Sequence, residues 1–306
     1  MFEMKNILVI FTGGTIGSSI QNGAIDTDEK TAFLLLEQFK SRYPQRVVNF
    51  TTLQPYQILS ENLLPRIWVD LIQIIENAQP QNYDGIVVTH GTDTLAYTAA
   101  ALHFYFKKLD TPIFLVSSHL PLCDCKANGL DNFCFAVKKI LENHRTSGVF
   151  VPYRNPNEKH VTLHQANRLT SSPQLGSNFF SVDDFTQDKI FDASQKARFS
   201  EKILLIKPYP SINYDCFKLE NVDAVLHDLY HSGTACTTSQ WGENHSLLNF
   251  VTRCKNENVP VYLAPALKTQ DAYQSTLELV NSGATILWNT TLEAAFVQLS
   301  LFYGNA

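Results

Sequence analysis

The stretch KNILVIFTGGTIGSS, residues 5–19, decides how this chain is to be read. Its first half, Lys5 to Phe11, is short, β-branched and nearly all apolar. That is the pattern of a strand covered on both faces, as in a parallel sheet. Its second half stops the strand in threonine and glycine, and Gly13 and Gly14 let the backbone take unusual dihedrals and approach a ligand closely. A second stretch does the same: GIVVTHGTDTLAYTAAAL, residues 85–102, passes from an apolar strand through a hydroxyl-rich turn into a helix.

Outward from these two stretches, strands and helices alternate. Helices are expected over Thr27–Ser41, Leu64–Ala78 (with Pro65 in its first turn), Thr94–Lys108 and Asn128–Asn143. Strands are expected at Val47–Leu53, Gly85–Thr89 and Ile113–Ser117. From Ser181 to Lys202 the text turns polar and loses its apolar period. Beyond it the spacing predicts strands at Ile203–Ile206, Ala224–Leu229 and Val259–Ala264, and helices at Ser246–Asn256, Gln270–Ser282 and Thr291–Tyr303. The expected class is α/β: a mostly parallel open sheet in a larger N-terminal domain (1–185), a linker (186–202), and a smaller α/β C-terminal domain (203–306).

Composition narrows the function. The chain has 306 residues, of which 44% are apolar and 17% charged, the balance of an ordinary globular protein. A net charge of −5 supplies no basic footprint for nucleic acid. No apolar run reaches the roughly 18 residues of a membrane span. The opening MFEMKNILVIF carries Glu3 and no small-residue cleavage site, so the cytoplasm is the expected compartment. Six cysteines, two of them in Cys123-Asp124-Cys125, lack the paired two-residue gaps of a zinc ribbon, and no metal is expected.

Three chemistries compete for the two turns. A phosphate cradle would need a lysine after the glycines, or the Gly-x-Gly-x-x-Gly spacing, and neither is present. A plain βα turn, with Thr12 or Thr15 capping the next element, explains the first stretch alone equally well. A nucleophile site explains both stretches together: two hydroxyls and the Asp93 carboxylate stand at the ends of two strands.

On TGGTIG at Thr12–Gly17 and DGIVVTHGTDTLAYTAAAL from Asp84, the chain resembles the bacterial-type L-asparaginase family, in particular its cytoplasmic type I branch. The resemblance implies cleavage of the L-asparagine side-chain amide to aspartate and ammonia, through an acyl-enzyme on threonine and without a cofactor. It makes Thr15 the nucleophile and places Thr92 and Asp93 beside it, with Asp93 on the substrate ammonium. Through LSENLLPRIW it places Ser60 and Glu61 at the substrate, together with Gly14 and Gly91. Ser118 is expected either to reach the amide or to cap the segment that follows. The resemblance further implies homodimers, or tetramers built from them.

Two family positions are altered, which leaves open a catalytically weak or inactive amino-acid-binding protein on the same scaffold, or an amidohydrolase with a different small amide substrate. The lid tyrosine is replaced in SIQNGAIDTD by Ala24, and Leu163 stands where a catalytic lysine is expected. Lys159 and Lys126 are the candidate substitutes, each weighed against a plain surface lysine. His160 and His164 invite a metal reading, but no His-Glu-x-x-His pattern accompanies them. His90 is expected to support its turn.

Overall fold

The computed structural model describes residues 4–21, 23–27, 29–142, 147–182, 196–268 and 271–306, the side chains at 20, 21, 24, 25, 27 and 29–32 excepted. Two compact units emerge, residues 1–181 and 182–306.

In the first unit, strand β1 (Lys5–Ile10) leads into a small antiparallel hairpin, β2 (Ser18–Gln21) and β3 (Ala24–Thr27), then helix α1 (Glu29–Arg42) and strand β4 (Val48–Leu53). Helix α2 (Pro65–Asn77), β5 (Gly85–Thr89), α3 (Leu95–Tyr105), β6 (Ile113–Val116), α4 (Gly129–Leu141), β7 (Val149–Tyr153) and β8 (Thr162–Gln165) follow. Six of the strands form one sheet in the order β4-β1-β5-β6-β7-β8, parallel except for the antiparallel last pair.

The apolar run of β1 is explained by its central place. Ile7, Leu8, Val9 and Ile10 are all fully buried. Ile7 and Val9 join Val87 and Phe114 in a core with Phe39 of α1 and Phe133 of α4. The alternate residues Leu8, Ile10, Ile86, Val88 and Leu115 are buried on the other face, as the two-residue period of a strand requires. Helix α2 opens with Pro65, whose missing N–H costs nothing there, and buries the stripe Trp68, Leu71, Ile72 and Ile75. Trp68 Nε1 donates to Thr98 Oγ1 of α3 at 3.1 Å. Each such large side chain contributes about 1.5–3 kcal/mol on burial.

The second unit comprises β9 (Ile203–Ile206), β10 (Ala224–His227), α5 (Leu247–Asn256), β11 (Val261–Ala266), α6 (Gln274–Asn281), β12 (Thr285–Trp288) and α7 (Leu292–Tyr303). Its four-stranded sheet, β12-β11-β10-β9, is wholly parallel. One face carries α5 through Phe250 and Val251, with Leu279 of α6, and the other carries α7 through Ala295 and Leu299.

The α/β class with mostly parallel sheets is therefore as the sequence led one to expect. Boundaries moved where turns intervene. Asn258 adopts a left-handed φ of 57° and Pro260 follows it, so β11 begins at Val261 rather than Val259. Helix α6 starts at Gln274, and residues 269 and 270 lie outside the described residues. Most of the expected linker, residues 186–195, also lies outside them. Among the described residues no helix is long and apolar enough to cross a membrane.

Candidate active site

The chain leaves β1 for β4 on one side of the sheet and returns to β5 on the other. Strand order thus reverses between β1 and β5, and ligands of open α/β sheets bind outside the carboxyl ends of the strands at such a point. The residues emerging there are Phe11–Gly17 after β1 and His90–Asp93 after β5.

Hydroxyls and glycines lock these two turns together. Thr12 Oγ1 donates to Thr89 O at 2.5 Å, and Thr12 N donates to Thr89 Oγ1 at 3.2 Å. Gly13 and Gly14 hold φ of 102° and 75°, which a side chain rarely tolerates. A Cβ on Gly13 would stand 2.7 Å from the Ile58 backbone, and one on Gly14 would overlap the Gly91 backbone. A Cβ on Gly91 would in turn overlap the Ser60 hydroxyl. The main chains of three loops thus meet without side chains between them.

Ser60 is the third contributor. It opens a 3-10 turn over Ser60–Asn62, just ahead of α2, and is 3% exposed. Its hydroxyl accepts from Asp93 N at 3.2 Å and lies 3.3 Å from Asp93 Oδ2, to which it donates. Thr94 Oγ1 donates to Ser60 O at 3.0 Å. The segment before it is tied to the first turn, since Gly14 N donates to Ile58 O and Ile58 N to Thr12 O, both at 2.9 Å.

The structure thus gathers Gly14, Ser60, Gly91 and Asp93 in direct contact, with Thr15 and Thr92 on the same two turns. Thr15 and Thr92 are half-buried, and their hydroxyls have no partner among the described residues. Asp93 and Glu61 are exposed. Thr12 does not cap the 3-10 turn over Thr15–Gly17, which has no side-chain cap; it serves as the clasp to Thr89. Sequence reasoning missed that clasp because it joins residues 77 positions apart.

Ser118 stands apart. It is fully buried, its hydroxyl donating to Leu120 O at 2.6 Å and accepting from Gly129 N at 3.1 Å, so it closes the loop that leads into α4. Leu163 lies on the outermost strand β8, opposite Pro152, three strands from β5. Lys126 and Lys159 are exposed loop residues. His160 is exposed, whereas His164 is buried with Nδ1 2.7 Å from Ser181 Oγ. Among the described residues no three His, Cys, Asp or Glu side chains are grouped to hold a metal ion. The lid position Ala24 falls on β3, with its side chain outside those described.

His90 is buried at the root of the second turn. Its Nδ1 lies 2.7 Å from Gly91 O, so that nitrogen carries the proton and donates to the carbonyl. Burial pushes the imidazole down to about 4, leaving a neutral brace for the turn.

Known proteins resemble this chain in sequence and in fold. The family described as Asparaginase, N-terminal, matches residues 6–202. A glutamyl-tRNA(Gln) amidotransferase subunit from Methanobrevibacter smithii is 29% identical over 98% of this chain and 72% of its own length. The protein of the same name from Methanococcus maripaludis is 27% identical over 99% of this chain and 77% of its own length. Among solved structures, the thermostable L-asparaginase from Thermococcus kodakarensis superposes with a TM-score of 0.77 at 20% identity, covering 98% of this chain and 93% of its own. L-asparaginase I from Vibrio cholerae gives 0.73 at 23% identity, with 98% and 92% covered. At those identities the structural likeness speaks for the fold. The family match spans well over half of the chain and includes both turns, so this protein belongs to the asparaginase family and is an asparaginase-like amidohydrolase.

Proposed function

We propose that the protein hydrolyses L-asparagine to L-aspartate and ammonia through an acyl-enzyme on Thr15, in the manner of the cytoplasmic type I branch. The observation that carries this reading is the meeting of Gly14, Gly91, Ser60 and Asp93 at the switch point, with the Thr15 hydroxyl uncommitted beside them. Asp93, braced by Ser60, binds the substrate ammonium, and Ser60 and Glu61 bound the substrate with Gly14 and Gly91. Backbone N–H groups of the two turns, with Thr92, stabilise the tetrahedral oxyanion. Ser118 is left out of this set because its hydroxyl is spent within its own loop. We assign the cytoplasm as compartment and a homodimer or homotetramer as assembly, which sedimentation would check.

A second reading is favoured by one observation: the relatives at 27–29% identity over nearly the whole chain are named as amidotransferase subunits. The same site would then take a different small amide. Ammonia release from L-asparagine, D-asparagine and L-glutamine, ranked by kcat/KM with Thr15→Ala as control, separates the readings. Turnover that survives Thr15→Ala refutes the threonine mechanism for every substrate.

A further inference from the structure

Attack by a threonine hydroxyl moves protons. The Thr15 Oγ–carbon bond forms, the carbon–nitrogen bond breaks, the hydroxyl loses a proton, and the departing nitrogen gains one and leaves as ammonia. Water then attacks the ester carbon, the carboxylic acid is released and Thr15 Oγ regains a proton. A hydroxyl and an exposed carboxylate are a weak set for this traffic, and a nitrogen base within reach serves it better. His90 is not that base: its Nδ1–H is committed to Gly91 O and its buried ring is pushed down to about 4.

The sheet register supplies another imidazole. Thr12 is bonded to Thr89, and Thr89 pairs with Val116 of β6. Three residues beyond Thr12, Thr89 and Val116 stand Thr15, Thr92 and His119, in the turns that follow three adjacent strands. His90 N donates to Val116 O at 2.9 Å, which keeps the second and third turns in step. The backbone of His119 is fixed as well. Its N–H donates to Asn128 Oδ1 at 3.0 Å, and Asn128, fully buried, is anchored by Nδ2 to Arg154 O at 2.7 Å. The half-buried imidazole nevertheless leaves Nδ1 buried and without a hydrogen-bond partner. A buried polar nitrogen costs free energy unless something pairs with it, and this one belongs to the turn after β6, the strand next to β5.

We propose that His119 is the proton carrier of this site, acting with the Thr92 hydroxyl to take the proton from Thr15 Oγ and deliver it to the leaving nitrogen. The imidazole returns to its neutral form in each half-reaction, so atoms and charge balance with water as the only co-reactant. This assignment rests on the Thr15 reading.

The test compares wild type, Thr15→Ala, His119→Gln and His119→Ala in steady-state ammonia release from L-asparagine, D-asparagine and L-glutamine. His119→Gln keeps hydrogen-bonding capacity but carries no proton, so kcat is expected to fall about 100-fold or more with KM within threefold. Added imidazole is expected to restore part of kcat to His119→Ala. A kcat for His119→Gln within threefold of wild type overturns the assignment while leaving the Thr15 reading intact. A raised KM together with no imidazole rescue makes His119 a packing residue and also overturns it. A wild type silent on all three amides overturns both readings.

Discussion

At the scale of single residues, the site depends as much on missing side chains as on present ones. Gly14 and Gly91 lie backbone to backbone, and Gly14 holds a positive φ. Gly14→Ala therefore meets two penalties, left-handed strain and a collision that only main-chain movement relieves. Ammonia release is expected to drop at least 100-fold, the displacement of Thr15 being the cause. Gly17 is a useful contrast, since a Cβ there meets nothing within 4 Å and its φ is not in the left-handed range. Gly17→Ala should keep its fold and most of its turnover. If both variants behave alike, close approach of the two turns is not what the glycines are for. Ser60→Ala loses the partner of Asp93 N and the brace of its carboxylate, and KM is expected to rise more than kcat falls.

At the scale of elements, legibility followed contiguity and burial. Strands β1, β5, β6, β9 and β10 were readable because strands covered on both faces are written as unbroken apolar runs. The β2–β3 hairpin was missed although Asn22-Gly23, between the paired Gln21 and Ala24, is the dipeptide of a two-residue hairpin turn; its flanking strands carry one isoleucine each and no longer apolar pattern. Edge strand β12, half exposed over Thr285–Trp288, was missed for a related reason. The two turns of the site were legible as motifs since each is a single stretch of chain. The Thr12–Thr89 clasp, the Ile58 bridge to Gly13 and the place of His119 arise only once strand order is known. The helix that backs β1 gives a direct test of the packing. Phe39 of α1 is 1% exposed, with T-shaped contacts to Phe50 and Phe133 at centroid distances of 5.6 Å. Phe39→Ala should cost about 3–5 kcal/mol, read from the urea midpoint at constant slope. A loss under about 1 kcal/mol would mean that α1 does not hold the sheet face beneath the first turn.

At the scale of the whole molecule, each unit hides a histidine whose charged form burial disfavours. His90 in the first unit and His227 in the second are 3% and 0% exposed, and burial pushes each imidazole from its ordinary 6.5 down to about 4. The Tyr214 hydroxyl lies 2.9 Å from His227 Nε2 and brings no charge to favour the protonated ring. Between pH 4 and 6.5 the unfolded chain therefore binds protons at these positions that the folded chain does not. Stability rises with pH across that window, is fully present above 6.5, and is lost as pH falls toward 4. Going from pH 7 to pH 5, each histidine withdraws about 2 kcal/mol, a large share of the roughly 5–15 kcal/mol that holds a typical domain together. Urea midpoints of the wild type should fall steeply between those pH values. His90→Gln and His227→Gln, though less stable at pH 7, should each show a shallower fall. A wild-type midpoint that is flat from pH 7 to 5 would show that water or a neighbouring carboxylate already supports the charged rings. Equal slopes in wild type and both variants would place the acid sensitivity elsewhere, with the buried His164 of the outer strand next in line.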